Sequence, residues 1–174
     1  MKASTRQFNL FLALMALAML CGCQTNTKNK EVSALRVHIA VNSNDTGTSQ
    51  SISVLRSDPV LITIEKEPIL TEANIVAARV IDTRGGYALE IQFDESSALV
   101  LEQYTAANPG KHYAVFGQWG EKVADGRWLA APLITHRIAD GILSFTPDMS
   151  REEADRLVLG LNNAAKTVQK GKLK

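Results

Sequence analysis

The sequence predicts an α+β fold, a mostly antiparallel sheet with two helices packed on one face. Three observations point to it. Runs that alternate apolar and polar residues outnumber stretches with helical spacing. Most connections between those runs are short enough for antiparallel pairing. Two segments, residues 97–107 and those following Ser150, place apolar residues on one helical stripe suited to covering a sheet.

The first strand is expected from Ala34, where Leu35, Val37, Ile39 and Val41 alternate with Arg36, His38 and Ala40. Residues 43–50 form a polar loop containing Asp45 and Gly47, after which 52–55 and 60–64 resume the alternation. Pro59 cannot donate to a ladder, so an edge strand or a bulge is expected there. Pro68 ends this region, and Leu70-Thr71-Glu72-Ala73 has the pattern of a single capped helical turn. Strands at 77–82 and 87–93 flank Thr83-Arg84-Gly85-Gly86, whose two glycines accept positive φ without steric cost and favour a hairpin. The helix over 97–107 carries Val100, Leu101, Tyr104 and Ala107 on one stripe and stops at Asn108-Pro109-Gly110. Strands follow at 112–117, 128–135 and 142–145. The last helix is the clearest element. Ser150-Arg151-Glu152-Glu153 is a capping box, and Ala154, Leu157, Val158, Leu161 and Ala165 repeat at helical spacing behind it.

Ahead of this domain lies a different kind of segment. Lys2 and Arg6 precede a 13-residue run from Phe8 to Leu20, apolar except for Asn9, and small residues follow. This is the order of charged, apolar and cleavage regions in a signal peptide, and the run is short for a bilayer-spanning helix. Leu20-Cys21-Gly22-Cys23 resembles a bacterial lipobox. Bulky Leu20 precedes Cys21, whereas Gly22 precedes Cys23, so Cys23 is the expected lipidation site. More than one acyl chain at Cys23 makes the anchoring stable where one alone holds marginally. The expected organisation is a lipoprotein signal peptide at 1–22, a lipidated Cys and flexible tether at 23–33, the α+β domain at 34–168 and a basic tail at 169–174. Gln24 after Cys23, where Asp resembles an inner-membrane retention signal, leans the expectation toward the outer membrane.

Composition narrows the function classes. Removal of residues 1–22 from 174 leaves 152, enough for one domain with a proper core. Loss of Lys2 and Arg6 lowers the formal charge of +1 by two, to −1. A near-neutral chain argues against a nucleic-acid partner. With Cys21 removed and Cys23 lipidated, no thiol remains for a disulfide, a zinc site or nucleophilic catalysis. The domain must be held by its core, which a hydrophobic content of 45% permits.

Several short pieces, in order, resemble the periplasmic P1 head subdomain of SecD, the SecDF component of bacterial protein export. Leu70-Thr71 with Ile75 and Ala78 resembles the segment leading into that head. Thr105, Asn108, Gly110 and Lys111 match its "T, then N, then G-K" stretch. Ala131-Pro132-Leu133-Ile134 with Ile138 resembles its "A-P-x-I" strand. Phe145-Thr146, then Glu152, Glu153, Ala154 and Leu157, match its last helix start. The resemblance covers about 68–161 and implies a module that binds peptide or protein. The lipid at Cys23 is expected to stand where SecD relatives have transmembrane helices.

Side chains able to carry chemistry are few. His38, His112 and His136 are far apart in sequence and none has a partner at ligand spacing, so no metal and no cofactor is expected. Asp94-Glu95 and Glu152-Glu153 fall at helix starts, where carboxylates cap and meet the dipole. No G-x-S-x-G, H-E-x-x-H or phosphate loop occurs, so no catalytic residue is assigned. Trp119 and Trp128 flank a polar segment, a placement that lets them face each other across a hairpin base. Their large apolar area suits burial in the core, and the functional alternative is a partly exposed aromatic patch. With Phe116 and Tyr113 they form the candidate binding surface. The leading expectation is a non-enzymatic, lipid-anchored periplasmic protein. It binds unfolded or exported polypeptide, or translocon components, in protein export or envelope assembly. The alternative is a structural envelope lipoprotein that self-associates.

Overall fold

The computed structural model describes residues 31–42, 47–120 and 125–172. Its strands are β1 (Ala34–Ile39), β2 (Ser49–Val54), β3 (Val60–Glu65), β4 (Leu70–Thr71), β5 (Ile75–Thr83), β6 (Gly86–Phe93), β7 (Tyr113–Trp119), β8 (Asp125–Ala130) and β9 (Ile142–Phe145). The helices are α1 (Glu95–Ala107) and α2 (Arg151–Lys172), and a short 3-10 turn spans Glu72–Asn74. Every strand pairing is antiparallel, so the α+β class read from the sequence is what the chain adopts.

The strands form three sheets rather than one. They are ordered β4-β1-β7-β8, β2-β3 and β5-β6-β9. In β1 the residues Leu35, Val37 and Ile39 point inward to the main core, which also takes Leu89, Ile91, Val115, Trp119 and Leu143. Both helices feed this core, α1 through Leu101 and α2 through Ala154, Leu157 and Leu161. Full burial of one such leucine stabilises by roughly 1.5–3 kcal/mol. The β2-β3 hairpin covers the opposite face of the four-stranded sheet. Its Ile52, Val54 and Ile64 make a second, smaller core with Ala114 of β7.

Local signals explain the element ends. The Thr71 box caps the 3-10 turn, with Asn74 Oδ1 accepting from the Thr71 amide at 2.9 Å. Asp94 caps α1 by accepting from the Ser97 amide at 2.9 Å, so the helix starts two residues ahead of the predicted 97. The predicted capping box at α2 is formed: Glu153 N donates to Ser150 Oγ at 3.2 Å, and Ser150 N to Glu153 Oε2 at 2.8 Å. Gly85, at φ +112°, makes the β5–β6 turn.

Pro59 lies in the connection just before β3, and of the two expected outcomes the edge strand forms: β3 belongs to a two-stranded sheet whose register runs unbroken. Two local expectations are corrected. The buried stripe of α1 is Ser97, Leu101 and Thr105, while Tyr104 and Ala107 are exposed. Thr105 is buried at little cost because its hydroxyl donates to Leu101 O at 2.8 Å and accepts from Ile138 N at 2.9 Å. The strand predicted over 128–135 stops at Ala130, since Pro132 lacks a donor, and beyond it Leu133 keeps an isolated bridge to His112.

Long-range clamps join the pieces. Helix α2 packs chiefly on β5 and also touches β7 and β1. Asn162 of α2 acts as a substitute backbone for the free edge of β5, donating to Ala78 O and accepting from Ala78 N, both at 2.9 Å. The β2–β3 turn is tied to the lead-in of α2, where Arg56 N donates to Asp148 Oδ2 at 2.8 Å and its guanidinium pairs with the same carboxylate.

Candidate functional site

Alternation along β1 sends Arg36 and His38 to the face away from the helices. Register places Arg36 opposite Phe116 and His38 opposite Ala114 on β7. A bulge between β7 and β8 then brings Phe116 opposite Trp128. The two rings meet edge to face at 5.2 Å, and the His38 ring packs on Trp128 at 5.3 Å in the same manner. The β2-β3 hairpin roofs one side of this aromatic group through Gln50 and Lys66. The result is a cleft of about 380 Å³, completed by Arg36 and Pro68.

Charge and burial in the cleft follow from its walls. His38 is buried, and its Nδ1 lies 2.8 Å from Glu65 O. Burial lowers its pKa below 6.5 and the Arg36 charge adds to that, against the opposing Glu65 carbonyl, so the ring is neutral at physiological pH. Arg36 is exposed at the mouth, and Lys66 Nζ donates to Gly47 O at 2.6 Å. Half-buried rings beside two cations suit stacking on planar groups and pairing with carbonyl or carboxylate oxygens.

The four residues of the candidate surface are divided between two environments, the cleft and the main core. Phe116 and Trp128 come together in the cleft. Trp119 does not join them. It is 1% exposed in the main core, because its register partner is Asp125 and it occupies the opposite face from Trp128. The two tryptophans therefore do not face each other across the hairpin base. Arg127 covers the Trp119 ring at 4.8 Å and is itself held by Glu153 at 2.7 Å. Tyr113 is also buried, its hydroxyl 3.5 Å from Ser144 O, and burial pushes its pKa up to about 12. Cys23 lies outside the described residues.

The remaining polar candidates have structural partners. His112 Nδ1 sits 2.6 Å from Ala131 O, and His136 is exposed beside Thr135. Among the described residues no group of His, Cys, Asp or Glu is clustered for a metal ion. Arg36, His38, Gln50 and Lys66 were missing from the sequence-level surface. Alternation in β1 already places Arg36 and His38 on one face, but only the folded hairpin brings Gln50 and Lys66 above them.

The order of strands and helices can now be set against known proteins. The family model of the SecDF P1 head subdomain matches residues 38–167. This chain belongs to the SecDF P1 head family. The protein translocase subunit SecD of Rhodobacter capsulatus is 32% identical over 103 residues, 59% of this chain and 17% of that protein. The P1 head chain thus spans about a sixth of the length of that curated relative. A solved structure of SecDF, a membrane component that enhances protein export, aligns with a TM-score of 0.52 at 21% identity. It covers 77% of this chain and 64% of its own. A second, of SecDF in a super-membrane-facing form, gives 0.53 at 21% identity, over 77% of this chain and 19% of that one. At that identity the likeness is one of fold, and it supports the P1 head architecture. Among the described residues no helix is long and apolar enough to cross a membrane.

Proposed function

We propose that this protein is a lipid-anchored, non-enzymatic module on the periplasmic side of a bacterial membrane, the outer one in preference. Its P1 head domain binds polypeptide in the service of protein export or envelope assembly. The observation that carries the reading is the aromatic cleft, where Phe116 and Trp128 meet Arg36 and Lys66 on the face opposite the helices. Membership in a family whose head is a periplasmic domain supports the location. The order of charged residues, apolar run and Leu20-Cys21-Gly22-Cys23 supports the anchor.

A photoreactive amino acid at position 128, activated in living cells, tests the binding role. The expected product is a set of adducts with exported polypeptides or translocon components; recovery of no protein adduct overturns it. Incorporation of labelled palmitate, lost in Cys23→Ser, tests the anchor, and membrane fractionation tests its location.

A second reading is favoured by the tip of the β2-β3 hairpin. Leu55, Val60 and Leu61 are exposed there, Leu61 to 77%. In that reading the protein is a structural envelope component that self-associates through this edge. Light scattering of the domain separates the two, since a strict monomer counts against self-association.

A further inference from the structure

Among the described residues one non-glycine residue has a left-handed backbone, Leu55 at φ +68°. It stands in the β2–β3 turn, where Gly or Asn would sit without the steric cost that a leucine meets. Its side chain is exposed and is packed in neither core. Neither backbone nor packing calls for leucine there, and strain of this kind gathers where a surface is used. Val60 and Leu61, at the start of β3, are exposed beside it. Leu61 lies opposite Ser53, on the hairpin face away from Ile52, Val54 and Ile64. The tip is held in place by the Arg56 bonds to Asp148, so the apolar patch is preformed and Arg56 brings no unpaired charge to it.

What this patch meets is set by where the chain leaves the domain. Asp148, which holds the tip, lies three residues ahead of α2. Arg156, in the second turn of the same helix, pairs with Glu31 at 3.1 Å. The rise from Arg151 to Arg156 is only about 8 Å. The hairpin tip and the outgoing chain are therefore at the same end of α2. Cys23 lies eight residues ahead of Glu31, a span of at most about 29 Å when fully extended. A lipid at Cys23 keeps Glu31 within that distance of the bilayer and the tip in range of it. Such confinement makes the second contact intramolecular, so a weak surface affinity suffices. Helix α1 is placed elsewhere. It follows Phe93, at the end of β6 away from the Tyr87 contact with Met149, about 23 Å along the strand.

We propose that the β2–β3 tip docks on the membrane surface, seating Leu55, Val60 and Leu61 in the interfacial layer of the leaflet that holds the Cys23 lipid. The proposal rests on the reading that Cys23 is lipidated, and adds a second contact with the same membrane. Apolar side chains gain by leaving water, and a lipid interface takes them without the matched shape that a protein partner needs. Asp58 in the same turn stays among the headgroups, so the seating is shallow. Gln50 and Lys66 stand at the other end of the hairpin, so docking by the tip keeps the Trp128 cleft clear of lipid.

The test uses the full chain as cells process it, purified in detergent and reconstituted in vesicles of phosphatidylethanolamine and phosphatidylglycerol. Ser57→Cys carries a thiol-linked NBD fluorophore in the tip, and Gln103→Cys carries it on exposed α1 surface for comparison. Iodide in the buffer is expected to quench the label at 57 roughly threefold less than the label at 103, because seating in the interface excludes water. Leu61→Ser removes that protection. Leu55→Asn removes it too while melting no lower than the parent, since Asn tolerates the left-handed backbone. Equal quenching at 57 and 103, in protein that floats with the vesicles, overturns the docking and leaves the anchor standing. Protein that does not float and takes up no labelled palmitate overturns the anchor and the docking together. Protection unchanged in both Leu61→Ser and Leu55→Asn also overturns the proposal. Energy transfer between labelled copies that persists on dilution with lipid overturns it in favour of a second copy as occupant.

Discussion

Gly160 sets helix propensity against packing, and the structure decides the sign. Gly160 lies in the interior of α2, and Ala there gains about 1 kcal/mol of propensity in an exposed helix. But Gly160 is buried where the chain leading into β1 crosses the helix. A Cβ on residue 160 would lie 2.1 Å from Ser33 Oγ, 2.8 Å from Ser33 Cβ and 2.7 Å from the Ser33 amide nitrogen. The hydroxyl can rotate away, but the amide cannot. It belongs to a segment pinned twice at Glu31, by Arg156 to the carboxylate at 3.1 Å and by Asn163 Nδ2 to Glu31 O at 3.1 Å, and continuing directly into β1. Overpacking of this kind costs about 1–3 kcal/mol. Set against the propensity gain, Gly160→Ala is expected to be about 1 kcal/mol less stable. That corresponds to a Tm lower by roughly 2–4 °C in a domain of this size. Urea titration followed by circular dichroism, with the slope checked for constancy, reads it directly. Ser33→Gly in the same chain relieves two of the three contacts and is expected to restore part of the loss. A Gly160→Ala protein as stable as the parent, or more so, refutes the reasoning. It would mean that residues 31–33 are not seated on α2 as described.

Three further outcomes are expected. Asn162→Leu removes both bonds to Ala78 and leaves a strand edge open. Stability falls by about 1–3 kcal/mol in urea and light scattering shows added association; an unchanged monomer of parental stability counts against the clamp. Leu157→Ala empties a fully buried site and costs about 2–5 kcal/mol, read by thermal melting, and a loss under 1 kcal/mol would place Leu157 outside the core. Stability also depends on pH in two windows. His38 has a folded pKa below 6.5, so as pH falls through 6.5 the unfolded chain takes up the proton first, and stability is lost down to the lowered folded value. Asp148 is held below its ordinary 3.8 by Arg56. Burial raises Glu153, yet the Ser150 amide and Arg127 outweigh it and leave its pKa below 4.5. Stability from these two is present above their ordinary values and lost as pH falls through the folded ones. Melting points from pH 8 to 3 are expected to show both limbs, with His38→Gln flattening only the upper. A variant that keeps the upper limb assigns it to another group.

Legibility along the chain followed the range of the interaction. The α2 capping box and apolar stripe, the Gly85-Gly86 turn and the alternation in β1 are local, and each formed as its sequence signal indicated. The stripe of α1 was misread because Tyr104 looks like a core residue. Thr105 takes that place, its hydroxyl satisfied by Leu101 one turn back and by Ile138, 33 residues on. The tryptophans were misread for a related reason. Facing positions in a hairpin follow from its register: Trp119 pairs with Asp125 and Trp128 with Phe116, and the odd offset of three residues between Asp125 and Trp128 puts the two rings on opposite faces.

The sequence by itself determined the class of the fold, the ends of its clearest elements and its likeness to the SecDF P1 head, because caps, turns and periodicity act over a few residues. It also supplied the expectation of a lipid at Cys23. Tertiary structure alone decided that the strands divide into three sheets and that the β2-β3 hairpin roofs His38, Phe116 and Trp128. It decided, too, that Trp119 is core and that β5 is closed by Asn162. These depend on which distant segments meet, and on the register at which they meet, which no local pattern specifies.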